Sequence, residues 1–282
     1  MVLSKPDLDR VVAIALEEDL GESGADVTTK SVVDADLMGE AVVIARQAGV
    51  LSGMDAAARV FELVRPRCEF HAVLADGTSL KADEQVARIT GPLASILTAE
   101  RTALNFLQRL SGIATMTRRY ADALEEYPDV QLLDTRKTTP GLRFLERAAV
   151  RAGGGHNHRD GLWDAILIKD NHVAAAGGVT EAISRARRAR MPIEVEVDTL
   201  EQLREALDAG AEMILLDNMS PDLMRRAVEM TAGRARLEAS GGMTLEGAVA
   251  AAKAGVDRIS VGALTHSAPA LDLSLEVTKT WR

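Results

Sequence analysis

The sequence predicts a mixed α/β protein: an α/β barrel with fewer than eight parallel strands, preceded by an N-terminal α+β sandwich domain. Three observations carry this expectation. From about residue 130 onward, six short apolar runs recur, each followed by a helical stretch, and apolar strands alternating with helices imply a parallel sheet covered on both faces. Before residue 110 the pattern is mixed, with strand-like runs and one amphipathic helix. The length of 282 residues suits one large domain or two ordinary ones. The expected division is 1–110 for the first domain and 111–266 for the barrel, with the tail 267–282 joining the first.

Taken in order, Met1 to Leu20 holds one short apolar run, Val11 to Leu16, followed at once by Glu17, Glu18 and Asp19. A signal peptide needs a longer apolar region with basic charge before it, so none is read here. Glu40 to Ala45 reads as a strand, and the two runs flanking Asp76-Gly77 read as a hairpin, because Asp-Gly suits a tight antiparallel turn. Ser95 to Leu110 places Ile96, Ala103, Leu104, Leu107 and Leu110 on one helical face, and Arg101, Asn105 and Gln108 on the other. The later apolar runs are Gln131–Thr135, Ala165–Asp170, Ile193–Asp198, Met213–Asn218, Arg236–Gly241 and Arg258–Ala263. Ala209-Gly210 and Ala254-Gly255 each precede one of them, where glycine ends a helix.

Composition narrows the function classes. With 3% aromatics the core must be built from Ala, Val, Leu, Ile and Met, and the single cysteine, Cys68, excludes an internal disulfide framework and a Cys-rich metal cluster. No apolar run is long enough to span a bilayer, and a cytoplasmic location is expected. The net charge of −9 argues against nucleic acid or an anionic membrane surface as partner. That charge is uneven. Between Arg136 and Arg159 stand six basic residues (Arg136, Lys137, Arg143, Arg147, Arg151, Arg159) and one acid, Glu146, a net of +5 that leaves −14 for the rest. A basic island in an acidic chain points to a small anionic ligand rather than a polyanion; a solvated basic helix face is the plainer alternative.

Polar residues gather at the C-terminal ends of the predicted strands: Asp134, Lys169 with Asp170, Glu196, Asp217 with Asn218, Ser240 with Gly241, and Gly262. Parallel barrels build their sites at that edge, although ion pairs closing the barrel end would give the same pattern. Ser240-Gly241-Gly242 before a helix, and Val261-Gly262-Ala263 after the last strand, suit a phosphate cradle, or simply tight turns. Glu196 and Asp217 end successive strands, and paired carboxylates beside a phosphate suit Mg²⁺. Zinc is disfavoured, because His156 and His158 lack an evident third soft ligand. Lys169 at a strand end leaves a Schiff-base aldolase open, and a non-catalytic phosphate sensor is the non-enzyme alternative.

The stretch Asp134-Thr135-Arg136-Lys137-Thr138-Thr139-Pro140-Gly141-Leu142-Arg143, continuing through Gly153-Gly154-Gly155-His156-Asn157-His158-Arg159 to Leu167-Ile168-Lys169-Asp170-Asn171-His172, resembles the quinolinate phosphoribosyltransferase family, the carboxylating nicotinate-nucleotide pyrophosphorylases. Glu100 to Asn105, Leu110 to Thr115, Glu194-Val195-Glu196, Leu215 to Asn218 and Glu238 to Gly242 extend it in order along the chain. One departure is a slightly longer loop before Asp26, at Glu22 to Ala25.

The resemblance implies a pentosyltransferase of de novo NAD biosynthesis. It joins quinolinate to phosphoribosyl pyrophosphate and yields nicotinate mononucleotide, pyrophosphate and CO₂, with Mg²⁺. It also implies roles for individual residues. Arg136, His158 and Arg159 would bind the quinolinate carboxylates, joined by Arg101 from the neighbouring subunit of a homodimer whose further assembly is open. Lys137 and Lys169 would contact the phosphoribosyl moiety as catalytic residues. Glu196 and Asp217, also catalytic, would engage the ribose hydroxyls and the metal. Ser240, Gly241 and Gly262 would hold the 5′-phosphate. A phosphoribosyltransferase-like relative with another acceptor, such as one acting on nicotinate or a molybdenum-transport-associated homologue, is the nearest rival.

Overall fold

A computed structural model describes residues 5–282, so the first residues of the Met1 to Leu20 stretch lie outside it. The chain forms two compact units. The first holds residues 1–118, 139–154 and 268–282, and the second 119–138 and 155–267.

The first unit opens with α1 (Lys5–Leu20) and α2 (Val27–Val32), followed by β1 (Met38–Ala45), β2 (Gly49–Val50) and α3 (Met54–Leu63). It continues with β3 (Glu69–Ala72), β4 (Ser79–Leu80), β5 (Glu84–Pro92) and α4 (Leu93–Ala123), whose residues from 119 onward fall in the second unit. The far C-terminal strand, β12 (Leu273–Trp281), pairs antiparallel with β1, giving a sheet of order β12-β1-β5-β3. The apolar face of α4 is buried as its spacing requires, with Ile96, Leu104, Leu107 and Leu110 almost wholly enclosed and Arg101 exposed.

Two sequence expectations are corrected in this unit. Asp76-Gly77 does form a turn, but β3 pairs with β5 and β4 with β2, so no hairpin spans it. The Asp76 carboxylate instead accepts from the backbone N–H groups of Gly53 (3.0 Å) and Met54 (3.2 Å), and Gly77 N–H donates to Leu51 (2.8 Å). The turn is thereby tied to the start of α3. The second correction concerns residues 139–154, which contain α5 (Arg143–Ala152) and belong to this unit rather than to the barrel. Fully buried Glu146 explains it: its carboxylate accepts from Arg109 Nη2 (2.9 Å), Thr139 Oγ1 (2.7 Å) and Thr139 N–H (3.1 Å). A buried carboxylate needs such partners. The basic island is split in consequence, since Arg143, Arg147 and Arg151 travel with α5.

The second unit is a parallel sheet of six strands in the order β6-β11-β10-β9-β8-β7. These are β6 (Gln131–Leu133), β7 (Ile166–Ile168), β8 (Ile193–Val197), β9 (Met213–Asp217), β10 (Arg236–Ser240) and β11 (Arg258–Ser260). Helices α6 (Asp170–Ala176), α7 (Val179–Ala186), α8 (Leu200–Asp208), α9 (Pro221–Thr231), α10 (Leu245–Ala254) and the short α11 (Ala263–His266) alternate with them. Gly255, at φ +95°, ends α10 in the left-handed conformation expected of a glycine cap. His156 forms a parallel bridge with Leu133, extending the sheet past β6.

Register assigns the two faces. Glu194 lies beside Met213 and Glu196 beside Leu215; Glu238 lies beside Leu215 and Arg258, and Ser240 beside Asp217. Because side chains alternate along a strand, these residues share one face. Val195, Val197, Ile214, Leu216, Leu237 and Ala239 fill the other face and are buried. The two-sided apolar reading of the strands therefore holds for alternate positions only, and the inner face is polar.

Candidate active site

The inner face opens into a cavity of about 540 Å³. Eight inner-face residues at or near the strand ends line it: Leu167, Lys169, Glu196, Leu215, Asp217, Glu238, Ser240 and Ser260. The loops after β6 add Thr135, Arg136, Lys137, His158 and Arg159, and the turns after β9 and β10 add Asn218, Gly241 and Gly242. Nine of the eleven site residues expected from sequence thus meet in one cavity. Gly262 stands just behind it, where a Cβ would come within 3.1 Å of the Lys137 side chain and 3.2 Å of the His266 ring. Arg101 is on α4 of the first unit, exposed to solvent, and does not line this cavity.

Local chemistry fixes the cationic loops. Asp134, fully buried at the end of β6, accepts from the Asn157 carboxamide (2.6 Å) and from His158 N–H (2.8 Å), pinning the loop that carries His158 and Arg159. Arg159 also donates to the Ala165 carbonyl at 3.0 Å. Thr265 Oγ1 donates to the Lys137 carbonyl at 2.8 Å. Burial and the nearby Arg136 pull the Arg159 pKa down, though it stays cationic at neutral pH. The Asp164 and Glu194 carboxylates act in the opposite direction.

At the rim, the Lys169 ammonium is ion-paired with Glu196, and Asn218 Nδ2 donates to Asp217 at 2.7 Å. Gly241, at φ +97°, cannot carry a side chain, because a Cβ would fall inside the Asn218 carboxamide. The glycine that sequence reading offered to a phosphate is therefore also demanded by the packing of Asn218.

The floor was not legible as part of the site. His158 Nε2 lies 2.9 Å from Glu194 and 3.2 Å from Glu238, and Arg258 approaches Glu238 at 3.4 Å and Glu194 at 3.9 Å. Both carboxylates are almost wholly buried, at 3% and 1% exposure, and the His158 side chain at 11%. Burial alone would lower the histidine pKa, but the adjacent Glu194 and Glu238 carboxylates outweigh it and raise the value to about 9. Burial likewise works against ionised Glu238, yet His158 and Arg258 hold its pKa below the ordinary range. The His158, Glu194 and Glu238 ligand atoms lie within 4.8 Å of one another, a spacing that would suit a metal. Arg258 already supplies the second positive charge, so two cations balance two carboxylates without an ion. The available signal was the period-two pair Glu194 and Glu196 within an otherwise apolar strand.

A cavity at the C-terminal edge of a parallel α/β sheet, with five cationic side chains facing three carboxylates, defines an enzyme site for a small polyanionic substrate. Comparison with known proteins is consistent with that class and narrows it. The description "Quinolinate phosphoribosyl transferase, N-terminal domain" matches residues 26–111, and its C-terminal counterpart matches residues 113–276. A Bacillus subtilis protein described as a probable carboxylating nicotinate-nucleotide pyrophosphorylase is 46% identical over 93% of this chain and 90% of its own length. A Nicotiana tabacum protein named a decarboxylating quinolinate phosphoribosyltransferase is 39% identical over 96% of this chain and 82% of its own. The solved nicotinate-nucleotide pyrophosphorylase of Francisella tularensis superposes with a TM-score of 0.93 at 40% identity, covering 98% of both chains. The chain belongs to the quinolinate phosphoribosyltransferase family.

Proposed function

We propose that this chain transfers the phosphoribosyl group of phosphoribosyl pyrophosphate to quinolinate and releases pyrophosphate and CO₂, forming nicotinate mononucleotide for NAD biosynthesis. The observation that carries this reading is the gathering of Arg136, Lys137, His158, Arg159 and Lys169 around one cavity. A dicarboxylate and a pyrophosphate ester need several fixed cations to be held together. Arg136, His158 and Arg159 bind the two carboxylates and orient the pyridine nitrogen toward ribose C1. Lys137 and Lys169 contact the phosphoribosyl moiety, and Ser240, Gly241 and Gly262 receive the 5′-phosphate.

The pyridine nitrogen forms the new bond to C1 as the bond to pyrophosphate breaks. Glu196 and Asp217 stabilise the positive charge that develops on the ribose. Lys169, which pairs with Glu196, offers its ammonium to a substrate anion. As CO₂ departs, the electron pair of the broken bond stays on the ring carbon next to the nitrogen, where the positive pyridinium nitrogen stabilises it until a proton takes the place of the carboxylate. Catalysis is positioning and electrostatics, with no enzyme nucleophile. The oxygen donors of Glu196 and Asp217, facing the same cavity, are the ligand type that Mg²⁺ accepts. When bound there, the ion would neutralise pyrophosphate charge.

The same reading makes the protein a homodimer in which Arg101 completes the neighbouring subunit's site. We assign the protein to the cytoplasm; separately, among the described residues, no helix is long and apolar enough to cross a membrane. The test is product formation with quinolinate or nicotinate as acceptor, with and without Mg²⁺. Turnover of quinolinate alone, dependent on Mg²⁺, is expected; equal use of nicotinate overturns the acceptor assignment. Mixing Arg101→Ala with Arg136→Ala subunits should restore part of the activity that each variant lacks. No recovery would rule out the shared site.

A further inference from the structure

We propose that Glu194 and Glu238, backed by Arg258, are positioning residues that act through His158, holding its ring in one orientation on the cavity floor so that it presents a fixed cation to the aromatic acceptor. This rests on the reading that quinolinate occupies the cavity. Glu194 leaves β8 and Glu238 leaves β10, two strands separated by β9, and both carboxylates converge on one nitrogen of the ring at 2.9 and 3.2 Å. Arg258 on β11 touches both carboxylates from the side, at 3.9 and 3.4 Å. Asp134 at the end of β6 fixes the backbone of His158 at 2.8 Å.

Such an arrangement is costly for a barrel that needs only to be filled. Buried ion pairs contribute little net stability compared with apolar residues of the same volume, and the neighbouring inner-face positions Met213 and Leu215 show that apolar residues fit there. The ion layer has a use if the ring must stay charged among other cations. Arg136, Lys137, Arg159 and Lys169 line the same cavity, and their field opposes a further positive charge. Without the two carboxylates, the ring would lose its proton and its orientation together, and the acceptor's carboxylate would lose one contact while the pyrophosphate end of the site stayed intact.

The test separates positioning from mere packing. In the full-length protein, Glu194→Gln and Glu238→Gln preserve shape and remove one charge each. The His158 imidazole is followed by NMR titration of the labelled ring without substrate, and KM for quinolinate and for phosphoribosyl pyrophosphate is measured from pH 6 to 9. The wild-type ring should stay protonated past pH 8, and each variant should titrate at least one pH unit lower. At pH 8 the quinolinate KM should rise about tenfold with the phosphoribosyl pyrophosphate KM unchanged, and the gap should close toward pH 6. An unmoved titration midpoint, or equal rises in both KM values at every pH, overturns the proposal. If one variant does not fold, the other carries the test at the second carboxylate. If the wild type never turns over quinolinate, the functional reading fails while the titration still reports on the ring.

Discussion

Glu194 and Glu196 stand two residues apart on the same strand and face the same side of the sheet, yet their partners differ. Glu194 is sealed on the floor against His158 and Arg258. Glu196 lies at the rim, paired with a Lys169 side chain that is 46% exposed. The same step separates Glu238 from Ser240 on β10. One pleat repeat thus divides a buried layer, in which two carboxylates face His158 and Arg258, from a rim layer in which Glu196 meets a half-exposed lysine. The lesson is that depth along a strand, more than residue type, decides what a carboxylate meets.

Breaking the floor should have the largest effect, and on stability. Glu238→Ala leaves Arg258 and His158 without their carboxylate and should cost about 3–5 kcal/mol, read as a large fall in denaturation midpoint. Removing a loop cation should do the reverse. Arg136→Ala or Arg159→Ala should lower kcat/KM for quinolinate about a hundredfold, as the loss of a charge-assisted contact predicts, with the melting temperature nearly unchanged. At the rim, Glu196→Gln or Asp217→Asn should reduce kcat about thirtyfold, again with little change in stability. The smallest effect sharpens the contrast through pH. The folded pKa of His158, about 9, lies above the ordinary 6.5, so its contribution is fully present below about pH 6.5 and is lost as pH rises through 9. Between pH 7 and 9 the wild type should lose up to about 2 kcal/mol from this group. Glu238→Gln should show a shallower fall in the same denaturant titration.

Much of the second unit was legible because repetition exposes it. Each apolar run from Gln131 onward became a strand within a few residues of its expected ends, and the polar strand termini pointed to the edge where the cavity lies. What stayed hidden depended on contacts between distant residues. Asp76-Gly77 carries a local hairpin signal, but its carboxylate caps α3, and no local pattern reveals that choice. Glu146 looked like a lone acid in a basic island, whereas its bonds to Arg109 and Thr139 draw α5 into the first unit and leave only Arg136, Lys137 and Arg159 of that island at the cavity. Glu194 and Glu238 were written in the motifs, but their partnership needs two residues 44 apart in sequence to lie on the strands that flank β9.

The most direct test of the whole account is stoichiometric. Purified protein is incubated with phosphoribosyl pyrophosphate, Mg²⁺ and quinolinate labelled in the carboxylate next to the ring nitrogen, and pyrophosphate, nicotinate mononucleotide and labelled CO₂ are counted together. The three should appear in equal amounts, with no product from nicotinate. Pyrophosphate released without CO₂, or nicotinate consumed as readily as quinolinate, would contradict it.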